Sequence, residues 1–432
     1  MSHTLRDFHE MMDTFDIINT HCHHMEGQFF EDMSLAGLVR QAYVAWSSPV
    51  DPLLEDEAPE AGWFEKVRFN SYFIALQRGL QNLYGIDEPL DQKNWPFFAE
   101  AVRMRHQEPD WHLQVLRDIC HYRYIIQDSY WDPGSAPNAH SNAHSSAHSS
   151  AHSSAHSSAH SSAHSDPLFK PVFRINMFMY FHDTQCEDHN GNNALRYLGM
   201  DEPFDSLDKY IDAVDKQIID KKKSGCVALK NALAYDRDLL FSDENQNDAN
   251  GLYEKLICGK GNDGDLYRLQ NHVFFRICEM AAAHDLPLQC HTGLGQLVNT
   301  NAMCLHDAIS GNPQTKFILF HGSYPYMEDV MALCHNMNNV YPDICWLPLI
   351  SPSAAERFVS EIIEVSLSNV LCWGCDTWTS EESLGALLAA KDVFASVAAR
   401  KVKNGYFSLS NAYAFLSGVF CGNARSIYDL DG

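Results

Sequence analysis

Histidine, lysine and aspartate recur at the ends of short apolar runs, and these side chains share one chemistry: holding a divalent metal ion and moving protons beside it. The first run, Asp16-Ile17-Ile18-Asn19-Thr20-His21-Cys22-His23, passes straight from a buried-strand signature into a His-x-His pair. Alternate side chains on a strand share a face, so His21 and His23 can both reach one ion. Val227-Ala228-Leu229-Lys230, Leu288-Gln289-Cys290-His291, Phe317-Ile318-Leu319-Phe320-His321 and Val370-Leu371-Cys372-Trp373-Gly374-Cys375-Asp376 end in the same polar way. Neutral imidazoles and a carboxylate suit Zn²⁺ first and also accept Mn²⁺, Fe²⁺ or Ni²⁺. A bound ion of this kind lowers the pKa of a coordinated water to about 7 and polarises a carbonyl. For His24, which follows His23 and points to the opposite face of the strand, a structural hydrogen bond is the expectation. His284, His306 and His335 sit in helical or turn contexts and are left out of the site.

Placing these ends together requires an alternation of strands and helices, which implies parallel strands and right-handed crossovers. Two segments interrupt it. After the first strand (residues 1–30), residues 31–120 read as helices: Ser34 to Trp46, Trp63 to Tyr84, Trp95 to Gln107 and Trp111 to Cys120. Phe73, Leu76, Leu80 and Leu83 recur at helical spacing and give this insertion an apolar stripe to bury. Leaving from the C-terminal end of strand 1, it is expected to overhang the mouth where the polar ends meet, as a lid or a subunit contact. The second strand falls in residues 121–134 and reads Tyr122 to Asp128. Residues 135–165 repeat Ala-His-Ser-Ser, with histidines at 140, 144, 148, 152, 156, 160 and 164. This tract has nothing apolar larger than Ala with which to join a core, so a disordered, dispensable loop is expected, with metal capture as the rival. Residues 166–432 carry the remaining elements: strand 3 at Pro171 to Asn176, and helices over Phe204 to Lys223 and Asp265 to His284.

The order His-x-His, Lys, His, His, Asp resembles the amidohydrolase superfamily of metal-dependent (β/α)8 barrels. Pro287-Leu288-Gln289-Cys290-His291-Thr292-Gly293-Leu294-Gly295, His321-Gly322-Ser323-Tyr324-Pro325-Tyr326, Asn339-Val340-Tyr341-Pro342-Asp343 and the tail Gly422-Asn423-Ala424-Arg425-Ser426-Ile427-Tyr428 are similar to its amidohydrolase-2 branch. Within that branch they resemble the nodulin-like domains fused to glutamine synthetase homologues, and more distantly uronate isomerases, which also carry a helical insert after strand 1. The resemblance implies an α/β fold, a (β/α)8 TIM barrel with the helical insertion after strand 1 and the low-complexity loop after strand 2. It implies one ion held by His21, His23, His291 and Asp376, with Asp376 also taking the proton of the attacking water. Lys230 and His321 then join the catalytic groups; if Lys230 is instead carboxylated, it bridges two ions, with His291 and His321 holding the second. Arg174, Arg237 and Tyr324 are assigned to substrate. Arg174 stands in an otherwise apolar strand and needs an anionic partner. Arg237 departs from the relatives by one extra residue in Ala234-Tyr235-Asp236-Arg237.

The activity this implies is hydrolysis of a C–N bond in an amide of a small polar acid. A decarboxylase or uronate-isomerase-like enzyme on the same site is the first alternative, and a non-catalytic barrel the second. Composition excludes other classes. A net charge of −25, from 31 basic and 56 acidic residues, repels a phosphate backbone, so nucleic acid is not an expected partner. No apolar run approaches the ~20 residues that span a bilayer, and Met1-Ser2-His3-Thr4 lacks a signal core, so a cytoplasmic, membrane-free protein is expected. A homo-oligomer is expected. Among the 13 cysteines, Cys226, Cys290 and Cys372 lie inside apolar strands, where free Cys behaves as a small hydrophobe, so disulfides and zinc-ribbon chemistry are not expected.

Overall fold

The computed structural model describes residues 4–24, 30–51, 53–54, 57–129 and 166–431. Seven parallel strands follow one another in chain order: β1 (Ile17–Cys22), β2 (Tyr122–Gln127), β3 (Phe169–Arg174), β4 (Ala228–Asn231), β5 (Leu288–Cys290), β6 (Phe317–Leu319) and β7 (Val340–Pro342). The eighth stave, residues 370–377, is too irregular for a ladder yet is bonded on both sides. Cys372 N–H donates to Pro342 O (3.0 Å) and Ile344 N–H to Cys372 O (3.1 Å), while Asp376 N–H donates to His21 O (2.8 Å) and His23 N–H to Thr377 O (2.9 Å). These bonds close the sheet into an eight-stave α/β barrel, as the ligand order implied.

Ile18, Ile126, Val172, Ala228, Ile318, Phe320 and Cys372 fill the barrel, and Ile427, Tyr428 and Leu430 from the tail join the same cluster. Ile18 and His21 both serve the interior although an odd number of positions separates them, because β1 shifts register against β2 between Asn19 and Cys22. The alternation argument therefore holds for His21 and His23 but does not run the length of the strand. Gly374 makes this closure possible: a Cβ there would stand 2.6 Å from the His21 nitrogen and 2.9 Å from Thr20 Oγ1. Cys372 and Cys375 have C-x-x-C spacing on this stave, but they belong to different apolar clusters, and all 13 cysteines are free.

The insertion holds α1 (Leu35–Gln41), α2 (Ala61–Val67), α3 (Ser71–Tyr84) and α4 (Trp95–Arg105). Two helices expected from periodicity are each broken by local signals. Ala42 turns to extended backbone after α1, and Asn70 caps α3 through its side chain, accepting from the Tyr72 and Phe73 N–H groups. Leu38, Trp63, Phe64, Phe73, Leu76, Leu80, Trp95 and Phe98 give the insertion its own core. Farther along, α5 (Leu207–Lys223) starts at its Ser206 cap rather than at Phe204, and α6 (Asp263–Ala283) starts at a capping box formed by Asn262 and Asp265. The Ala-His-Ser-Ser tract lies outside the described residues. Among the described residues no helix is long and apolar enough to cross a membrane.

Helix α7 (Ser380–Lys403) ties the insertion to the barrel. It crosses α3 with backbones in contact: a Cβ on Gly385 would lie 2.2 Å from Ala75 O, and one on Gly79 would lie 2.1 Å from Glu381 O. Beside the crossing, buried Glu381 accepts from His106 Nε2 (2.8 Å) and Tyr84 Oη (2.8 Å), and His106 Nδ1 faces Phe30 O (2.8 Å). Both ring nitrogens of His106 thus face acceptors. Burial alone would lower its pKa, but Glu381 and the carbonyl outweigh that and raise it, so an imidazolium–carboxylate pair pins the insertion down. Gly385→Val is expected to destabilise the fold by about 1–3 kcal/mol through overpacking. An unchanged urea midpoint in that variant would count against the close crossing.

Candidate metal centre

The strand ends meet at one mouth. His21 (β1), Lys230 (β4), His291 (after β5), His321 (after β6) and Asp376 (eighth stave) are all buried, with His23 following β1. His23 Nε2 lies 3.0 Å from Asp376 Oδ1, His21 Nε2 lies 3.5 Å from the same oxygen, and Lys230 Nζ lies 3.5 Å from His21 Nε2. On the far side His321 Nε2 stands 2.9 Å from His291 Nδ1, and His321 Nδ1 is 3.7 Å from Asp376 Oδ2. His321 and Asp376 both take left-handed backbone, at φ 65° and 59°. Such conformations cost free energy for non-glycine residues and concentrate at working sites.

Hydrogen bonds fix which nitrogen of each ring can act as a ligand. His23 Nδ1 donates to Asp128 O (2.7 Å), which leaves Nε2 as the lone pair aimed at Asp376. His321 Nδ1 donates to Cys345 O (3.0 Å), leaving Nε2; His291 Nε2 donates to Leu294 O, leaving Nδ1. A carbonyl can only accept, so the two nitrogens that face each other at 2.9 Å are both lone pairs in the neutral rings. Two acceptors in contact repel unless a cation lies against both. A proton is disfavoured there. Burial, the neighbouring imidazole and Lys230 hold His291 well below the ordinary histidine range, and burial and Lys230 push His321 down to about 3. Zinc with two imidazoles at ~2.0–2.1 Å brings their nitrogens to a little over 3 Å apart, so the donor set fits a divalent ion. Burial and Lys230 likewise keep His21 neutral.

Around these donors stand groups that only the fold identifies. Asp128, at the end of β2, takes Arg174 through Nη2 (2.6 Å) and Nε (3.3 Å). Burial raises the Asp128 pKa, yet Arg174, His23 and Lys230 outweigh it and hold the carboxyl well below the usual range. Asp128 closed the strand 2 segment in the sequence, but no ligand pattern singled it out. Cys345 Sγ lies 3.3 Å from His321 Nδ1, and His321, Cys345 and Asp376 bring potential ligand atoms together, as do His21, His23 and Asp128. Asp343 accepts from Thr20 Oγ1 (2.5 Å) and Cys345 N–H (2.8 Å); burial lifts its pKa to about 6. Burial and its neighbours also act on Lys230: desolvation lowers its pKa although Asp128 and Asp376 oppose this, and its Nζ sits 4.0 Å above the Phe320 ring.

A small cavity opens over His21, His23, His291 and Asp376, and Arg174, Lys230, Ala232 and Tyr235 also line it. Tyr43 and Trp46 of the insertion complete the lining. The expected substrate residues separate here. Arg174 lines the cavity. Arg237 does not: its guanidinium is buried and donates to Gln270 Oε1 (3.1 Å), Asn271 Oδ1 (2.8 Å) and the carbonyls of Asp238, Tyr267 and Leu240. Gln270 and Asn271 of α6, among these acceptors, hold Arg237 away from the cavity lining. Tyr324 is half-buried and packs on the main core without lining the cavity. His24 Nδ1 faces Trp378 O (3.1 Å), the structural bond expected of it.

Comparison with known proteins follows the same lines. Residues 259–430 match the family model described as Amidohydrolase. The chain is 30% identical over 151 residues to Protein fluG of Emericella nidulans, a stretch covering 34% of this chain and 18% of that protein. Among solved structures it resembles a uronate isomerase from Thermotoga maritima (TM-score 0.74, 16% identity, 98% of this chain and 97% of that one). It also resembles a glucuronate isomerase from Caulobacter crescentus (TM-score 0.71, 14% identity, 99% and 94%). A structure from Lactobacillus casei described as a metal-dependent hydrolase is similar too (TM-score 0.66, 16% identity, 98% and 97%). At these identities the structures speak to the fold.

Proposed function

We propose, starting from the amidohydrolase character of residues 259–430, that this chain is a metal-dependent hydrolase cleaving the C–N bond of an amide on a small, carboxylate-bearing substrate. The observation that carries the reading is the convergence at one mouth of His21 and His23 on Asp376, with the inward-facing nitrogens of His291 and His321 beside them. His21, His23, His291 and Asp376 would hold one ion, zinc being the first choice for these donors. A second would need Lys230 carboxylated, with His291 and His321 as its other ligands. When bound, such an ion supplies Lewis acidity and lowers the pKa of a coordinated water.

The chain's own groups supply the rest. Asp376 has carboxylate oxygens facing three imidazoles, so it is placed to take the proton of the attacking water and to return it to the departing amine. Oxygen from water joins the acyl carbon, the C–N bond breaks, and the products are an acid and an amine. Lys230, buried beside His21, stabilises charge that develops on the carbonyl oxygen if it stays unmodified. Arg174, aimed by Asp128, faces the cavity and serves a substrate carboxylate. A second reading, a uronate-isomerase-like enzyme, draws support from the two isomerases that align with nearly the whole chain, insertion included.

The two readings separate in one experiment. Purified protein is expected to carry at least one equivalent of divalent metal by elemental analysis and to release amines from dicarboxylic acid monoamides. Chelator should abolish the release and added metal restore it. Uronate isomerisation with no amine release would overturn the hydrolytic reading in favour of the second.

A further inference from the structure

Beside the donors, aromatic rings from the insertion and the barrel flank the cavity: Tyr43 and Trp46 line it, and Trp346 and Trp378 pack behind them. Trp378 stacks on the His23 ring (centroids 5.0 Å, 27°), and Trp346 meets His321 edge-on (5.3 Å, 82°). Tyr43 bridges them, at 4.9 Å from Trp378 and stacked at 4.8 Å on Trp346. Trp46 lies against Tyr43 (4.7 Å) and faces the cavity while remaining 37% exposed. A π-surface thus continues directly from two of the donor imidazoles, and its outermost ring is left partly uncovered.

The rest of the lining says what such a surface is for. Arg174 and Lys230 share the lining with Tyr43 and Trp46, so an acid group and a flat apolar group can be held side by side. A flat apolar group gives up little water there. Covering Trp46 with it also removes exposed aromatic area.

We infer that the substrate carries a planar, aryl-type group next to its reacting bond, laid against Tyr43 and Trp46, with its acid group toward Arg174 and Lys230. This inference rests on the hydrolase reading and narrows the substrate class to acidic aryl amides. Water adds across the amide, the C–N bond breaks, and the proton from water leaves with the aryl amine.

The test uses a matched pair, N-phenylsuccinamate and N-cyclohexylsuccinamate, which differ in the planarity of one ring. Binding is measured calorimetrically on metal-loaded Asp376→Asn protein, whose metal content is verified first, so that turnover does not interfere. The phenyl compound is expected to bind on the order of tenfold tighter, as an aromatic pair contributes beyond area burial. In Trp46→Leu made on that background the ratio should fall close to one. Equal affinities, a preference for cyclohexyl, no binding of either, or a ratio that survives Trp46→Leu would each overturn the inference. The wild-type pocket ratio decides even if that second variant fails to fold. Amine release by the unsubstituted holoenzyme reads the hydrolase assignment separately: both amides cleaved at equal rates leaves that assignment standing while the aryl preference falls.

Discussion

Asp376→Asn is expected to lower turnover by about 10² to 10⁴ while leaving most of the metal in place. The substitution keeps the size of the side chain and an oxygen facing His21 and His23, but it removes the charge and the ability to take a proton. The left-handed backbone at this position favours the exchange, because Asn tolerates φ 59° about as well as Asp does. Loss of activity is therefore attributable to proton transfer and not to a refolded loop. Steady-state rates and elemental analysis on the same preparation check it. Turnover close to the unsubstituted level would remove Asp376 as the base and move that role to a neighbour, with His321 first in line.

The second large effect concerns retention of the ion. His21→Ala with His23→Ala deletes two of the inward nitrogens and leaves Asp376 without two of its three imidazole neighbours. Metal content is expected to fall below about a tenth of an equivalent, since each lost ligand weakens a site built from three or four protein donors. Stoichiometric metal in the double variant would place the ion elsewhere, and the Ala-His-Ser-Ser tract would be the first region to delete. Circular dichroism guards the interpretation, because β1 must still close the barrel for the comparison to hold.

What the sequence made legible was the part of the site in which residue type and position coincide. His21, His23, Lys230, His291, His321 and Asp376 each follow an apolar run, and a parallel barrel carries such ends to one mouth without any long-range guess. What stayed hidden depends on contacts between distant segments. Asp128 takes on its importance from Arg174 across the β2–β3 pairing and from the ring of His23. The backbone carbonyl of Cys345 orients His321, and no residue type announces a carbonyl. The aromatic wall joins Tyr43 and Trp46 to Trp346 and Trp378, residues that periodicity would assign to separate cores. Arg237 shows the converse: a residue type suited to carboxylates is spent on holding helix α6. Helix limits shift where a polar cap overrides the apolar pattern: Asn70 splits the run from Trp63 to Tyr84, and Ser206 delays the start of α5.

The eighth stave also sets an order of events during synthesis. His21 leaves the ribosome long before Asp376, whose N–H bonds to the carbonyl of His21. Pairings this distant along the chain are slow to form, and a chain of this length passes through partly assembled states. Until residues 370–377 arrive, β1 has an open edge and the first two imidazoles lack their carboxylate. An ion that needs both imidazoles and the carboxylate would be captured only after that closure, and its presence would mark a molecule that finished closing. In a mixed preparation, the fraction of chains holding metal should track the fraction that resists protease at β1.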